Sequence, residues 1–249
     1  MTRFPRGKES SSIEPTLANS APAREQPAAL GIYIVMGLAV AILGGLLFAW
    51  LAESVGAAGT LGFDRAVLDW MGAHQVPWAQ RSVLEITALG SGSVVVVFTL
   101  VIALLLGLDR RRRAALLLLI ATYGGLLLNF ALKQIFQRPR PLVFTWGTAA
   151  ASSSFPSGHA MNAAIMYLTI AFILTRLETR WWARLLTLLV TVLLIGLICL
   201  SRLYLGVHYP TDIIGGLIMG VAWVGICVSG VGWYSRENSS RESLPPLTN

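Results

Sequence analysis

Apolar runs of roughly 20 residues, separated by short charged stretches, set the pattern of this chain, and that length is what a bilayer-crossing helix needs. Residues 28–51, 86–108, 114–132 and 213–234 each reach it unaided. Two shorter runs, 160–175 and 185–201, flank the polar turn from Arg176 to Arg184. The alternative to two spans there is one re-entrant pair. The charges in the turn favour two spans, and the pattern then predicts an all-α, polytopic protein with six transmembrane helices. Between the first two runs, residues 53–81 form a loop. Within it, Phe63 to Met71 carries a helical period, predicting a short amphipathic helix lying along the membrane surface. Residues 1–27 and 236–249 are polar and predict tails, leaving one membrane domain over 28–235.

Composition points the same way. The 249 residues are 55% hydrophobic and only 12% charged, outside ordinary soluble usage. The net charge of +7 would suit a nucleic-acid binder, but the basic residues sit between apolar runs, as topology determinants do, and no nucleic-acid partner is expected. With the N-terminus inside, 13 of the 19 Lys and Arg fall on the cytoplasmic side and 6 outside, so both termini are expected in the cytoplasm. The first 27 residues lack the apolar core and cleavage site of a secretory signal. Trp181 and Trp182 fit an interfacial belt. Cys199 and Cys227 lie inside apolar runs and read as small buried hydrophobes, with no disulfide or metal pattern around them.

Four of the six outward cations lie near the outer ends of the third and fifth spans, where charge in a membrane protein is a functional candidate. The first cluster holds Lys133, Arg138 and Arg140, with Pro139 and Pro141 ending the helix. Snorkelling anchors are the bland account of it. The second is Pro156-Ser157-Gly158-His159 at the start of a helix. Ser157 is an N-cap candidate, but a helix start with a glycine also offers free N–H groups to an anion. The third runs from Ser201-Arg202 to His208 and Asp212, and four residues of helix bring that pair together. Asp212 suits both capping of the last span and orientation of the histidine, since a carboxylate has two oxygens. The third span runs outward to the first cluster, the fourth inward from the second, and the fifth outward to the third. All three clusters therefore share one face of the bundle, which favours chemistry over three separate anchors. His74 is expected to face solvent without a partner, and Asp64, Asp69 and Glu85 to be interfacial or capping residues.

In order, Lys133 with Arg140-Pro141, then Pro156 to His159, then Ser201-Arg202 with His208 and Asp212 fill Lys-x6-Arg-Pro, Pro-Ser-Gly-His and Ser-Arg-x5-His-x3-Asp. The chain thus resembles the phosphatidic-acid-phosphatase type 2 superfamily of membrane lipid phosphate phosphatases, whose helical core is similar to that of vanadium haloperoxidases. The resemblance covers residues 30–234, including 86–98 as the family's second span, and leaves the tails unmatched.

It implies a phosphorylated membrane lipid as substrate, with undecaprenyl diphosphate, phosphatidylglycerophosphate and phosphatidate as candidates. It also implies His208 as a nucleophile that forms a phosphohistidine, Asp212 as its orienting partner, and His159 as acid and then base. Lys133, Arg140, Ser157, Gly158 and Arg202 would hold the phosphate, and Arg138 is a further contact that the signature does not demand. These cations would stand where phosphoryl-transfer enzymes often place Mg²⁺, so no metal or other cofactor is expected. Short loops and the N-in topology suggest a bacterial cytoplasmic membrane, with the site extracytoplasmic. The competing readings are a phosphotransferase using the same intermediate, and a transporter or lipid binder using the basic mouth. Against a transporter, the sequence has no internal repeat and no paired broken helices.

Overall fold

The computed structural model describes residues 27–141 and 152–242. Its elements there are α1 (Pro27–Gly56), α2 (Leu61–Ala73), a 3-10 turn (Pro77–Ala79), α3 (Gln80–Ala88) and α4 (Gly92–Leu108). They continue with α5 (Arg112–Phe136), α6 (Gly158–Leu177), α7 (Trp181–Tyr204) and α8 (Pro210–Glu242). Five of these are long and apolar enough to cross a membrane, and the bent pair α3/α4 makes a sixth. The protein is an all-α, multi-pass membrane protein.

The two short apolar runs become full spans because the helices propagate through their charged ends. α6 has 20 residues and α7 has 24, with Arg176 in the last turn of the first and Arg184 in the first turn of the second, where its Nε donates to the Glu178 carbonyl at 2.8 Å. By contrast, the run 86–108 is not one helix. It breaks after Ala88 and bends by 49°. Ser91 restarts it as an N-cap, its Oγ accepting from the Val94 N–H at 3.4 Å. α8 also continues to Glu242, into the segment 236–249 expected as a tail. No proline follows Pro210 until Pro245, so nothing local stops the helix at the membrane edge. The expected tail at 1–26, and residues 243–249 of the other, lie outside the described residues.

α6 is the central helix, packed between α5, α7 and α8 and touching α4, with Ala160 to Met166 all buried. α1 lies along α8, α4 along α5, and α3 along α7. Outward faces carry apolar side chains such as Val35, Leu46, Val97, Leu127 and Leu193, the arrangement expected of surfaces facing lipid. Two polar contacts inside the bundle pair groups across helices. Thr99 donates to Thr122 at 3.1 Å, and the Trp223 indole N–H to the Ala121 carbonyl at 2.9 Å.

α2 is the expected amphipathic helix, with Phe63 and Trp70 exposed and Asp64 and Leu68 buried beneath it. Of the two roles expected for Asp64, interfacial or capping, its burial favours the second, since it accepts the Thr211 N–H in the first turn of α8 at 3.1 Å. His74 is exposed as expected but is partnered, stacked on Trp70 with Nδ1 2.8 Å from the Trp70 carbonyl oxygen. The following loop is tied to the end of α7. Gln75 donates to the Tyr204 carbonyl at 3.0 Å, and the Tyr204 hydroxyl bridges the Val76 backbone.

Candidate active site

The ends of α1, α5 and α7 meet the starts of α6 and α8 at one end of the bundle, and each break in helicity there presents a polar side chain. α5 stops at Gln137, whose backbone is left-handed at φ 40°, and the prolines that follow hold the chain extended. This turn points Lys133 and Arg140 at the segment leading into α6. Lys133 Nζ donates to the Ser153 carbonyl at 2.5 Å. Arg140 spans further, its Nε reaching the Ser152 carbonyl at 3.1 Å and one terminal nitrogen the Val207 carbonyl at 3.0 Å. A cavity of about 220 Å³ opens beside this turn, between Ala52, Val55 and Gly56 of α1 and Phe136.

The segment before α6 is anchored from below by Phe155, fully buried and packed on the rings of Phe48 and Phe136. Ser157 takes the N-cap position of α6 without making the side-chain cap. Instead its N–H donates to the Asp212 carbonyl at 2.9 Å, fastening the start of α6 to the start of α8. A Cβ at Gly216 would stand 2.6 Å from the Ser157 carbonyl oxygen, so only glycine lets the two helices approach this closely. Gly158 is 3.1 Å from Asn129 Oδ1 and 3.7 Å from Lys133 Cε, measured from where its Cβ would be, which puts the first turn of α6 beside the last of α5. His159 follows, half-buried, and its backbone and Cβ lie against Gly90 at the α3/α4 break.

At the other side, α7 ends with Arg202, one terminal nitrogen of which donates to Thr87 Oγ1 at 2.9 Å. Gly206, at φ 61°, turns the chain in a conformation that favours glycine, and His208 and Pro210 follow at once. Asp212 sits at the third position of α8. Its Oδ2 accepts from the Tyr209 N–H at 2.8 Å, half of a capping box, and lies 3.4 Å from His208 Nδ1. Capping and histidine orientation thus coexist.

The partners of His208 fix its tautomer. Arginine can only donate, and an Arg140 terminal nitrogen lies 3.2 Å from Nε2, so Nε2 carries the lone pair and Nδ1 the proton directed at Asp212. Burial pushes the His208 imidazole down to about 4, against the upward pull of Asp212, so the ring is neutral at neutral pH. Burial also lowers the Arg140 guanidinium, although it stays protonated.

Two of the three buried side-chain polar atoms without a partner among the described residues are Ser157 Oγ and Arg202 Nε. An orphaned buried donor of this kind costs about 1–3 kcal/mol, and two within the signature indicate groups held ready for a ligand. Lys133, Arg140, Ser157, Gly158, His159, Arg202, His208 and Asp212 therefore all stand at one end of the bundle. Arg138 does not join the cations around His208. It is bound between Asp212 Oδ1 at 2.5 Å and Asp64 Oδ2 at 2.7 Å, and these carboxylates outweigh burial and raise its proton affinity.

Two residues escaped the sequence reading. Ser154 is buried and donates to Asp212 Oδ2, with its oxygen also 3.5 Å from His208 Nδ1. Nothing distinguishes it in sequence from Ser152 and Ser153 beside it. Asp64 did leave a signal, since it shares the inward stripe of α2 with Leu68 while Arg65 and Asp69 face out.

The fold and the residues gathered at its end define a membrane lipid phosphate phosphatase. Residues 114–236 match the family model described as the PAP2 superfamily. Phosphatidylglycerophosphatase B of Bacillus subtilis is 32% identical over 177 residues, covering 71% of this chain and 87% of that one. Undecaprenyl-diphosphatase BcrC of the same organism is 31% identical over 106 residues, 41% of this chain and 50% of that one. Among solved structures, a transmembrane PAP2-type phosphatidylglycerolphosphate phosphatase from Bacillus subtilis superposes with a TM-score of 0.70 at 27% identity, covering 84% of this chain and 98% of its own. This chain belongs to the PAP2 superfamily.

Proposed function

We propose that the chain hydrolyses a phosphate monoester or diphosphate of a membrane lipid at the outer face of a bacterial cytoplasmic membrane, through a phosphohistidine on His208. The observation that carries this reading is the pair of contacts on His208, with a cation at Nε2 and Asp212 at Nδ1. Lys133, Arg140 and Arg202, with Ser157 and the first N–H groups of α6, surround the phosphoryl oxygens. Nε2 attacks phosphorus, the bond to the lipid oxygen breaks, and His159 gives that oxygen its proton. Asp212 stabilises the imidazolium as it forms. His159, now neutral, takes a proton from water, whose oxygen attacks phosphorus and releases inorganic phosphate and neutral His208.

With both termini in the cytoplasm, the site opens at the outer leaflet, where a lipid phosphate reaches it without leaving the bilayer. The names of the relatives make phosphatidylglycerophosphate and undecaprenyl diphosphate the first substrates to try, with phosphatidate as a third. Phosphate release by the purified protein from these three lipids, in EDTA, tests the reading. Release from at least one of them, undiminished by EDTA, is expected. Activity that disappears in EDTA and returns with Mg²⁺ would replace the metal-free mechanism.

Arg202 gives a sharper check on the cradle. One terminal nitrogen is held by Thr87 and Nε is left for phosphate, a division that an ammonium group cannot reproduce. Arg202→Lys should lower kcat/KM by about 10–100-fold, the worth of one charge-assisted hydrogen bond. Unchanged kinetics would remove Arg202 from the cradle.

A further inference from the structure

Behind Asp212, the outer end of the bundle holds a buried ionic cluster whose other two members, Asp64 and Arg138, have no part in the proposed reaction. Asp64 and Asp212 are fully buried, and the Arg138 side chain between them is 11% exposed. Asp64 comes from α2, the amphipathic surface helix, and reaches 147 residues along the chain to Thr211. It accepts the Thr211 N–H at 3.1 Å and the Thr211 hydroxyl at 2.7 Å. It also accepts from Thr60 at 3.1 Å. The Arg138 guanidinium lies 4.2 Å from the centroid of the Tyr209 ring, so its plane is fixed as well as its two ends.

We infer that Asp64 and Arg138 are positioning residues for the phosphoryl transfer, holding the Asp212 carboxylate in the plane that presents one of its oxygens to His208. The inference rests on the role proposed above for His208. A carboxylate turns easily about its last bond, and although a half turn only exchanges two equivalent oxygens, a quarter turn would take both off their partners. Oδ2 meets His208 Nδ1, the Tyr209 N–H and the Ser154 hydroxyl, whereas Oδ1 meets Arg138. Arg138 therefore acts as the stop on that rotation. Its guanidinium is a planar fork, so fixing one terminal nitrogen on Asp64 fixes the direction of the other toward Asp212.

Asp64 has a second effect. Without it, Arg138 would lie against Asp212 as its only carboxylate partner, and more of the negative charge that Asp212 directs at His208 would be drawn toward the guanidinium. Stability does not account for the cluster, since a buried ion triad is often no more stabilising than well-packed apolar side chains of the same volume. What such a triad supplies is fixed geometry, and here that geometry ends on the reacting imidazole.

The test uses the full chain in mixed lipid–detergent micelles, with a lipid phosphate as substrate and inorganic phosphate as competitive inhibitor. Asp64→Asn and Arg138→Gln should each lower kcat by about 10–100-fold, as a misoriented catalytic group does. The Ki for inorganic phosphate should stay within about twofold, because Lys133, Arg140 and Arg202 are untouched. The double variant should lose little more than the worse single one, since both substitutions release the same carboxylate.

Turnover within twofold of wild type in both single variants overturns the inference. So does a phosphate Ki that rises in step with the fall in kcat, which would make the cluster a general prop for the outer end, and so do losses that multiply in the double variant. His208→Ala serves as the separate control. If that variant keeps turning over, the reading of His208 fails, whatever the other variants do.

Discussion

His208→Ala should lower phosphate release from the lipid substrate by at least about 10³-fold, because it removes the atom proposed to receive phosphorus. Nε2 carries the lone pair facing Arg140, and Nδ1 is turned away toward Asp212. Trapping the enzyme with radiolabelled phosphate substrate should give an acid-labile, alkali-stable adduct in the wild type and none in the variant. The pH profile carries the same information. Burial holds His208 down to about 4, and only the neutral ring can attack, so kcat/KM should stay flat through pH 6 and fall as the pH drops through that value. Release within tenfold of wild type in His208→Ala, with the adduct still present, would move the nucleophile elsewhere.

His159→Ala is expected to cost about 10²–10⁴-fold on a lipid substrate, the usual worth of a general acid and base. The first half of that role depends on the leaving group. A lipid alkoxide needs a proton as it departs, whereas p-nitrophenolate does not. With p-nitrophenyl phosphate, the variant should therefore release a burst of about one equivalent of nitrophenolate per enzyme and then turn over slowly. The slow phase follows because water must still be deprotonated to clear His208. A variant equally slow in the first and later turnovers on this substrate would confine His159 to binding. A thermal melt of the variant separates this loss from simple unfolding.

Membership of the PAP2 superfamily places the phosphatase reading ahead of the transporter reading. It also explains why the clusters were legible at all. Each signature segment sits where a helix starts or stops, and such ends are marked locally. Pro139 and Pro141 stop α5, Pro156 precedes α6, Gly206 turns the chain after α7, and Pro210 opens α8. Prolines and glycines at those places can be read without knowing what lies across the bundle.

The α3/α4 break was less legible. Gly90 and Ser91 stand in an apolar run where a continuous helix is equally compatible with the pattern, and a single glycine in such a run is tolerated. The approach of Ile198 and of the His159 backbone to Gly90 belongs to the packed bundle, not to the local sequence.

The sequence by itself determined the all-helical membrane fold, the apolar runs behind its five or six candidate spans, the end of the bundle shared by the three clusters, and the residue types gathered there. Hydrophobic runs and helix-stopping residues are local, and the parity of crossings follows from counting them. Only the tertiary structure decided which charges are free. Arg138 and Arg140 are two residues apart and alike in sequence, yet one is bound by Asp64 and Asp212 while the other lies against His208. A charged side chain takes its partner from whatever element is packed beside it, here from residues 74 positions away for Arg138 and 68 for Arg140, and no local pattern records that choice.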